Sequence, residues 1–218
     1  LAKMLNPNIQ VIGVEPANAA CMKASLKAGK VVSLPSAVTI ADGTAVKTPG
    51  DIVFPYIQKN LDDIITVEDE ELIVNFLDVV ENHKMVVENS GLLTVAALKH
   101  LNCKDKRVVS ILSGGNMDII TMSSVVQHGL IERGRVFTVS VQLPDRPGEL
   151  VNVANVIAQL KGNVIRLEHN QFVSINRNAA VELKITLEAF GHEHKQQIVD
   201  ALKEKGYDPK LENPTSLY

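Results

Sequence analysis

Residues 108–116 read Val-Val-Ser-Ile-Leu-Ser-Gly-Gly-Asn, and this stretch decides the fold class. Val108–Leu112 is short, apolar and rich in β-branched residues, the composition of a parallel strand buried on both faces. It runs into one hydroxyl, two residues without side chains and one amide. Open α/β sheets take ligands at the carboxyl ends of their strands. A glycine pair at such a place lets a flat ligand approach the backbone. The same four residues also read as a plain strand-to-helix turn capped by Ser113, so the turn by itself leaves both readings open.

From the start to about residue 131, strands alternate with helices. The pattern predicts strands over Ile9–Val14 and Asp63–Val67. It predicts helices over Ala17–Ala28, Glu68–Asn82, Gly91–Leu101 and Met117–Ile131. Glu68, Asp69 and Glu70 sit where a helix dipole favours anions, and Leu72, Ile73, Phe76, Leu77 and Val80 recur at helical spacing. Residues 1–131 are therefore expected to form an α/β domain, a parallel sheet with flanking helices. Leu1–Leu5, broken by Asn6-Pro7-Asn8, reads as the end of a helix, so the sequence is expected to begin inside a domain. Residues 132–135 read as a linker. Beyond them come a strand at Val136–Leu143, a helix at Leu150–Lys161, strands at Val164–Glu168 and Ala179–Leu187, a helix at His194–Lys205 and a short last strand. That order predicts a ferredoxin-like βαββαβ domain over 136–218.

The 218 residues are 45% hydrophobic, enough for a real core. With 22 basic and 25 acidic residues the net charge is −3, and no basic cluster offers a nucleic-acid platform. No apolar run reaches the roughly 18–20 residues of a membrane span. No charged-then-apolar leader is present, so a cytoplasmic protein away from membranes is expected. Cys21 and Cys103 lack metal or redox spacing and read as free thiols.

Four segments occur in a telling order: Val11-Ile12-Gly13-Val14-Glu15-Pro16, Ile40-Ala41-Asp42-Gly43, Val87-Glu88-Asn89-Ser90-Gly91 and Ser113-Gly114-Gly115-Asn116. Together they resemble the carboxyl-terminal portion of the catalytic domain of threonine ammonia-lyases (threonine dehydratases). These are fold-type II pyridoxal-phosphate enzymes, and serine racemases share the segments. Leu143–Leu150 followed by Gly162-Asn163-Val164-Ile165 resembles an ACT regulatory domain. The whole order resembles a threonine ammonia-lyase with a single ACT domain.

The resemblance implies β-elimination of L-threonine, and of L-serine, to 2-oxobutanoate or pyruvate and ammonia, with pyridoxal phosphate as cofactor. Ser113 maps to the residue facing the cofactor's pyridine nitrogen, with Gly114 and Gly43 beside the cofactor. A neutral hydroxyl does not hold that nitrogen protonated as a carboxylate would, which suits β-elimination. Glu88 maps near the ring and is the catalytic candidate; it also reads as a helix-start carboxylate. Asn116 and Lys84 map to positions that touch a nucleotide in related enzymes.

Glu15 and Ala19 match two ligands of a divalent cation in relatives, but Cys21 stands where an Asp is needed. Hard cations prefer oxygen, so no tight Mg²⁺ or Ca²⁺ site is expected, and a monovalent cation stays open. Glu15 also reads as a satisfied strand-end carboxylate. In the ACT-like half the loop at Leu143, Asp145 and Gly148, with Asn163, would take an amino-acid effector such as isoleucine or valine. Asp145 and Asn163 also read as turn caps. Such domains pair, so a homo-oligomer is expected.

The family's Schiff-base lysine, in its Ser-x-Lys-x-Arg context, and its glycine-rich phosphate loop do not occur in these residues. The chain alone is expected to be catalytically silent. A serine or threonine racemase on the same fold and a non-catalytic amino-acid sensor are the competing readings.

Overall fold

A computed structural model describes residues 1–170, 181–212 and 214. After one helical turn, α1 (Ala2–Leu5), the chain enters β1 (Ile12–Pro16). The turn Ala17–Ala19 then leads to α2 (Cys21–Ala28), and α3 (Phe54–Asn60) precedes β2 (Asp63–Val67). β1 and β2 pair in parallel, Ile12 opposite Asp63 and Glu15 opposite Thr66. The helix expected from Ala17 begins only at Cys21, because the Glu15 carboxylate accepts the N–H groups of Met22 and Lys23 and seats itself at the amino end of α2. Gly29, at φ 68°, closes that helix in the left-handed conformation.

The predicted acidic start of the next helix takes a specific form. α4 (Asp69–Asp78) opens on a capping box in which Glu68 and Glu71 each accept the other's backbone N–H. Glu71 also receives Lys99 and His100, tying the start of α4 to the turn Ala97–His100. α4 then gives way to a wider turn, Val79–His83, ended by Lys84 at φ 57°. α5 (Leu93–Ala96) is only the middle of the helix expected over Gly91–Leu101; tighter turns, Asn89–Leu92 and Ala97–His100, flank it. Leu72 and Phe76 of α4 pack with Val67, Ala41, Val87, Leu92, Ala96 and Val125 into one core.

Val108–Leu112 is not a strand. It has no ladder partner among the described residues, and Val109 and Ile111 are 88% and 70% exposed. Apolar β-branched composition favours a strand only where a neighbouring edge offers backbone partners. Among the described residues the parallel sheet has two strands, and neither pairs with this segment. Thr94 holds it instead: its hydroxyl donates to the Ile111 carbonyl at 2.9 Å, and the Ser110 hydroxyl donates to the Thr94 carbonyl at 3.2 Å. α6 (Ile119–Glu132) follows, capped by Asp118 rather than Ser113. The Asp118 carboxylate accepts the N–H groups of Ile120 and Thr121 and the Thr121 hydroxyl.

Leu1–Val126 and Gln127–Tyr218 are separate compact units, divided within α6. The second contains β3 (Val136–Leu143), α7 (Glu149–Gln159), β4 (Asn163–Asn170), β5 (Val181–Glu188), α8 (His192–Glu204) and β6 (Lys210–Glu212). The antiparallel sheet runs β4-β5-β3-β6, the βαββαβ arrangement read from the sequence. Alternate residues Phe137, Val139, Val141 and Leu143 of β3 meet Leu183, Ile185 and Leu187 of β5. Val153 and Ile157 of α7 and Ile198 and Leu202 of α8 complete that core. The opposite sheet face carries Thr138 and Thr186, whose buried hydroxyls bond each other at 2.9 Å.

His194 ties α8 to the end of α7. Its Nδ1 accepts the Phe190 N–H at 3.1 Å and its Nε2 donates to the Leu160 carbonyl at 2.6 Å, which fixes one neutral tautomer. Ala179, at the start of the strand expected over 179–187, lies outside the described residues. Among the described residues no helix is long and apolar enough to cross a membrane.

The two cores and the capping box set the expected stability behaviour. Leu183→Ala, at a 0% exposed site, should lower the unfolding free energy by about 3 kcal/mol, whereas Leu211→Ala, at 49% exposure on β6, should cost under about 1 kcal/mol in the same urea titration.

Stability should also depend on pH through Glu71. Burial opposes the Glu71 charge, but hydrogen bonds from Lys99, the Glu68 N–H and His100 outweigh it and hold the carboxyl below its ordinary range. A carboxyl lowered in the folded state contributes stability above its unfolded value, roughly pH 4.3, and loses it as pH falls through the folded one. Urea midpoints should therefore fall between about pH 5 and pH 3, and Glu71→Gln should remove part of that fall.

Candidate functional site

Three loops of the first unit meet: Ala41–Thr44, Glu88–Leu92 and Ser113–Asn116. Glycine makes their approach possible. A Cβ at residue 91 would lie 1.8 Å from the Ser113 carbonyl oxygen. A Cβ at residue 114 would lie 2.1 Å from Glu88 Oε1, and Gly114 is also at φ 78°. A Cβ at residue 43 would lie 2.9 Å from the Ser90 hydroxyl and 3.8 Å from Glu88 Oε1. Backbone bonding joins the same segments, the Glu88 N–H donating to the Gly114 carbonyl at 3.3 Å. The Glu88 carboxylate accepts the Asn116 N–H at 3.2 Å through Oε2.

Among the described residues, two polar atoms here lack a partner. The Asn89 amide donates to the Ile40 carbonyl at 3.0 Å, which leaves its Oδ1 buried and unbonded; Asn89 is 5% exposed. The Ser90 hydroxyl is likewise buried and unbonded. Unsatisfied buried polar atoms cost free energy, and a bound polar group would satisfy them.

The sequence names Ser113, Gly114, Gly43, Glu88 and Asn116, and the structure brings all five together. It does not single out Asn89 and Ser90, although both stand inside one of the four motifs. Lys84 lies elsewhere, with its ammonium on the Glu81 carbonyl. Ser113 is exposed at the tip of its turn.

Glu15 is engaged at both oxygens. Its Oε1 and Oε2 accept the Met22 and Lys23 N–H groups, both at 2.8 Å. Ala19 is buried in the turn before α2. Burial first, then the Glu15 charge, pushes the Cys21 thiol up, so it stays protonated at neutral pH. Among the described residues no group of three or more His, Cys, Asp or Glu side chains is placed to hold a metal.

In the second unit Leu143 ends β3 with its side chain in the core, 2% exposed. Asp145 is exposed in the following turn, and Gly148, at φ 96°, precedes α7. Asn163 opens β4, its amide donating to Glu188 Oε2 at 3.2 Å.

Residues 1–114 match the family of pyridoxal-phosphate dependent enzymes. The chain belongs to that family. It is 38% identical over 204 residues to the L-threonine ammonia-lyase of Geobacter sulfurreducens, a match covering 93% of this chain and 51% of that protein. Among solved structures it resembles the processed form of threonine deaminase isoform 2 from Solanum lycopersicum, with TM-score 0.54 and 32% identity over 58% of this chain and 38% of that one. It also resembles maize serine racemase, with TM-score 0.50 and 33% identity over 61% of this chain and 42% of that one. The chain spans about half the length of the curated relatives it matches.

The residues present fit the family's cofactor. Among the described residues two buried polar atoms, Asn89 Oδ1 and the Ser90 hydroxyl, await partners where the three loops meet.

The Glu15 geometry makes a direct prediction. Glu15→Ala should lower the stability of the first unit by about 2 kcal/mol, since it leaves two N–H groups without a charged acceptor. Millimolar Mg²⁺ or Ca²⁺ should leave the melting temperature of the unaltered chain unchanged.

Proposed function

We propose that this chain supplies one wall of the active site, and the regulatory domain, of a threonine ammonia-lyase. The protein would convert L-threonine to 2-oxobutanoate and ammonia, and L-serine to pyruvate and ammonia. The observation that carries this reading is the 38% identity to an L-threonine ammonia-lyase over 204 residues, a span that includes residues of both units. The packing of the Ser113–Asn116 turn against Gly91 and Glu88 supports it locally.

Pyridoxal phosphate, when bound, supplies an electron sink for charge developing at the substrate α-carbon. The chain's own residues would set the terms of that chemistry. The Ser113 hydroxyl would face the pyridine nitrogen and leave it less basic than a carboxylate would. Gly114 and Gly43 would lie beside the cofactor, and Asn89 Oδ1 and Ser90 Oγ would hold polar atoms of the bound group. Glu88 would stand beside the ring, and Asn116 would contribute its backbone to the same turn.

The second unit would act as an ACT domain. Backbone N–H groups before α7, between Leu143 and Gly148, suit a carboxylate, and Asp145 suits an ammonium. Asn163 would bond either group. An isoleucine or valine effector held between two such domains would bias the catalytic halves through linkage, in a homo-oligomer. A cytoplasmic setting accords with two free cysteines.

Serine racemase activity is the second reading, favoured by the likeness to the maize enzyme. One assay separates the readings. The full-length protein carrying this chain, loaded with pyridoxal phosphate, should release 2-oxobutanoate from L-threonine. Ser113→Ala should cut turnover at least about tenfold, on the order of the loss of one charge-tuning hydrogen bond. Isoleucine or valine should change that rate, and Asp145→Ala with Asn163→Ala should abolish the change. D-serine from L-serine without oxoacid release would replace the lyase reading with the racemase one.

A further inference from the structure

We propose that Glu88 is a positioning residue whose carboxylate holds the Ser113–Asn116 turn in place and thereby fixes where the Ser113 hydroxyl points. The importance of that aim rests on the reading of Ser113 given above; the lock itself is a property of this chain.

The bonding supports a lock with two sides. Glu88 Oε2 accepts the Asn116 N–H at 3.2 Å, and the Glu88 N–H donates to the Gly114 carbonyl at 3.3 Å. One residue thus engages the turn on both sides of Gly115. The carboxylate reaches this place only because residue 114 has no side chain, since a Cβ there would lie 2.1 Å from Oε1 and 2.2 Å from the carboxyl carbon. Gly91, three residues further along from Glu88, receives the Ser113 carbonyl in the space a side chain would occupy. Ser113 is therefore held on one side by Gly91 and on the other by the Glu88–Gly114 bond.

The segment before the turn cannot supply this rigidity. Val108–Leu112 has no strand ladder among the described residues, and its tethers are the hydrogen bonds that Ile111 and Ser110 make with Thr94. The cap of α6 begins only at Asp118. From Ser113 to Asn116, the turn meets Glu88, Gly91 and Val86, whose carbonyl lies 3.6 Å from a Cβ built at Gly115. A bonded acceptor at residue 88, rather than a charge or a proton donor, is what the turn requires.

This chain by itself is sufficient for the test, with the solvent-exchange rate of the Asn116 amide read by NMR. Glu88→Ala should speed that exchange about tenfold, the loss of one hydrogen bond to a charged acceptor. Glu88→Gln keeps an acceptor oxygen at the same reach and should restore a rate within about threefold of the original. Gly114→Ala places a methyl on the carboxylate and should also speed exchange. The double variant Glu88→Ala with Gly114→Ala should be no faster than the faster single variant, because both remove the same bond. An unchanged Asn116 rate in a folded Glu88→Ala chain overturns the proposal. So does a Glu88→Gln rate as fast as that of Glu88→Ala, or strictly additive effects at 88 and 114. If Glu88→Ala does not fold, the Glu88→Gln and Gly114→Ala rates decide alone. Neither cofactor nor substrate enters this measurement, so its failure leaves the lyase reading standing, and failure of the threonine assay leaves the lock standing.

Discussion

A side chain at residue 91 would set its first carbon 1.8 Å from the Ser113 carbonyl oxygen. That close approach is the constraint on which the candidate site depends. It brings the loop that follows Leu112 down onto the turn Asn89–Leu92, and that turn is buried in the core of the first unit beside Leu72 and Phe76. The turn is tight because its first bond, from the Gly91 N–H to the Glu88 carbonyl, spans three residues. An α-helix starting at Gly91 would carry the Glu88 side chain and the Gly91 face apart. The tight turn keeps both against the Ser113–Asn116 loop.

The second unit is built on a different plan. Its sheet alternates cleanly: Val139 and Val141 face the helices while Thr138 and Ser140 face the other way. The far face is polar, yet Thr138 and Thr186 are buried there, bonded to each other, and Ser140 donates to Glu182. Lys184 reaches across to Glu212, and that hydrogen bond raises its pKa. Polar groups can be buried on an open sheet face when each has a partner and long charged side chains lie over them.

Much of this is legible in the sequence because it follows from periodicity. The pattern puts β2 at its observed bounds, Asp63–Val67, and the βαββαβ order of residues 136–212 comes from alternation and helical spacing. The grouping of Gly43, Glu88, Ser113, Gly114 and Asn116 comes from the family resemblance that the four ordered motifs carry. What stays hidden is tertiary. Val108–Leu112 has a strand's composition without a strand's neighbours, and composition is silent about neighbours. Ser113 reads as a cap, but Asp118 has the carboxylate nearer to the first free N–H groups of α6. His194 reads as an ordinary first residue of a helix, and only the folded chain shows both ring nitrogens engaged. The sequence leaves Glu15 open to two readings, and the structure places both of its oxygens on backbone N–H groups.

Glu15 and Glu88 together show why a carboxylate in a family motif does not declare its task. Each is half-buried, and each accepts backbone N–H groups. Glu15 commits both oxygens to the start of a helix, and the neighbouring thiol is held neutral by burial and by the same charge. Glu88 places one oxygen on Asn116 and lays the other against a glycine. The difference lies in what each holds. The first fixes an element already fixed by its own hydrogen bonds; the second fixes a loop that has neither helix nor strand to define it. Removing the first should therefore cost stability, and removing the second should cost precision at Ser113.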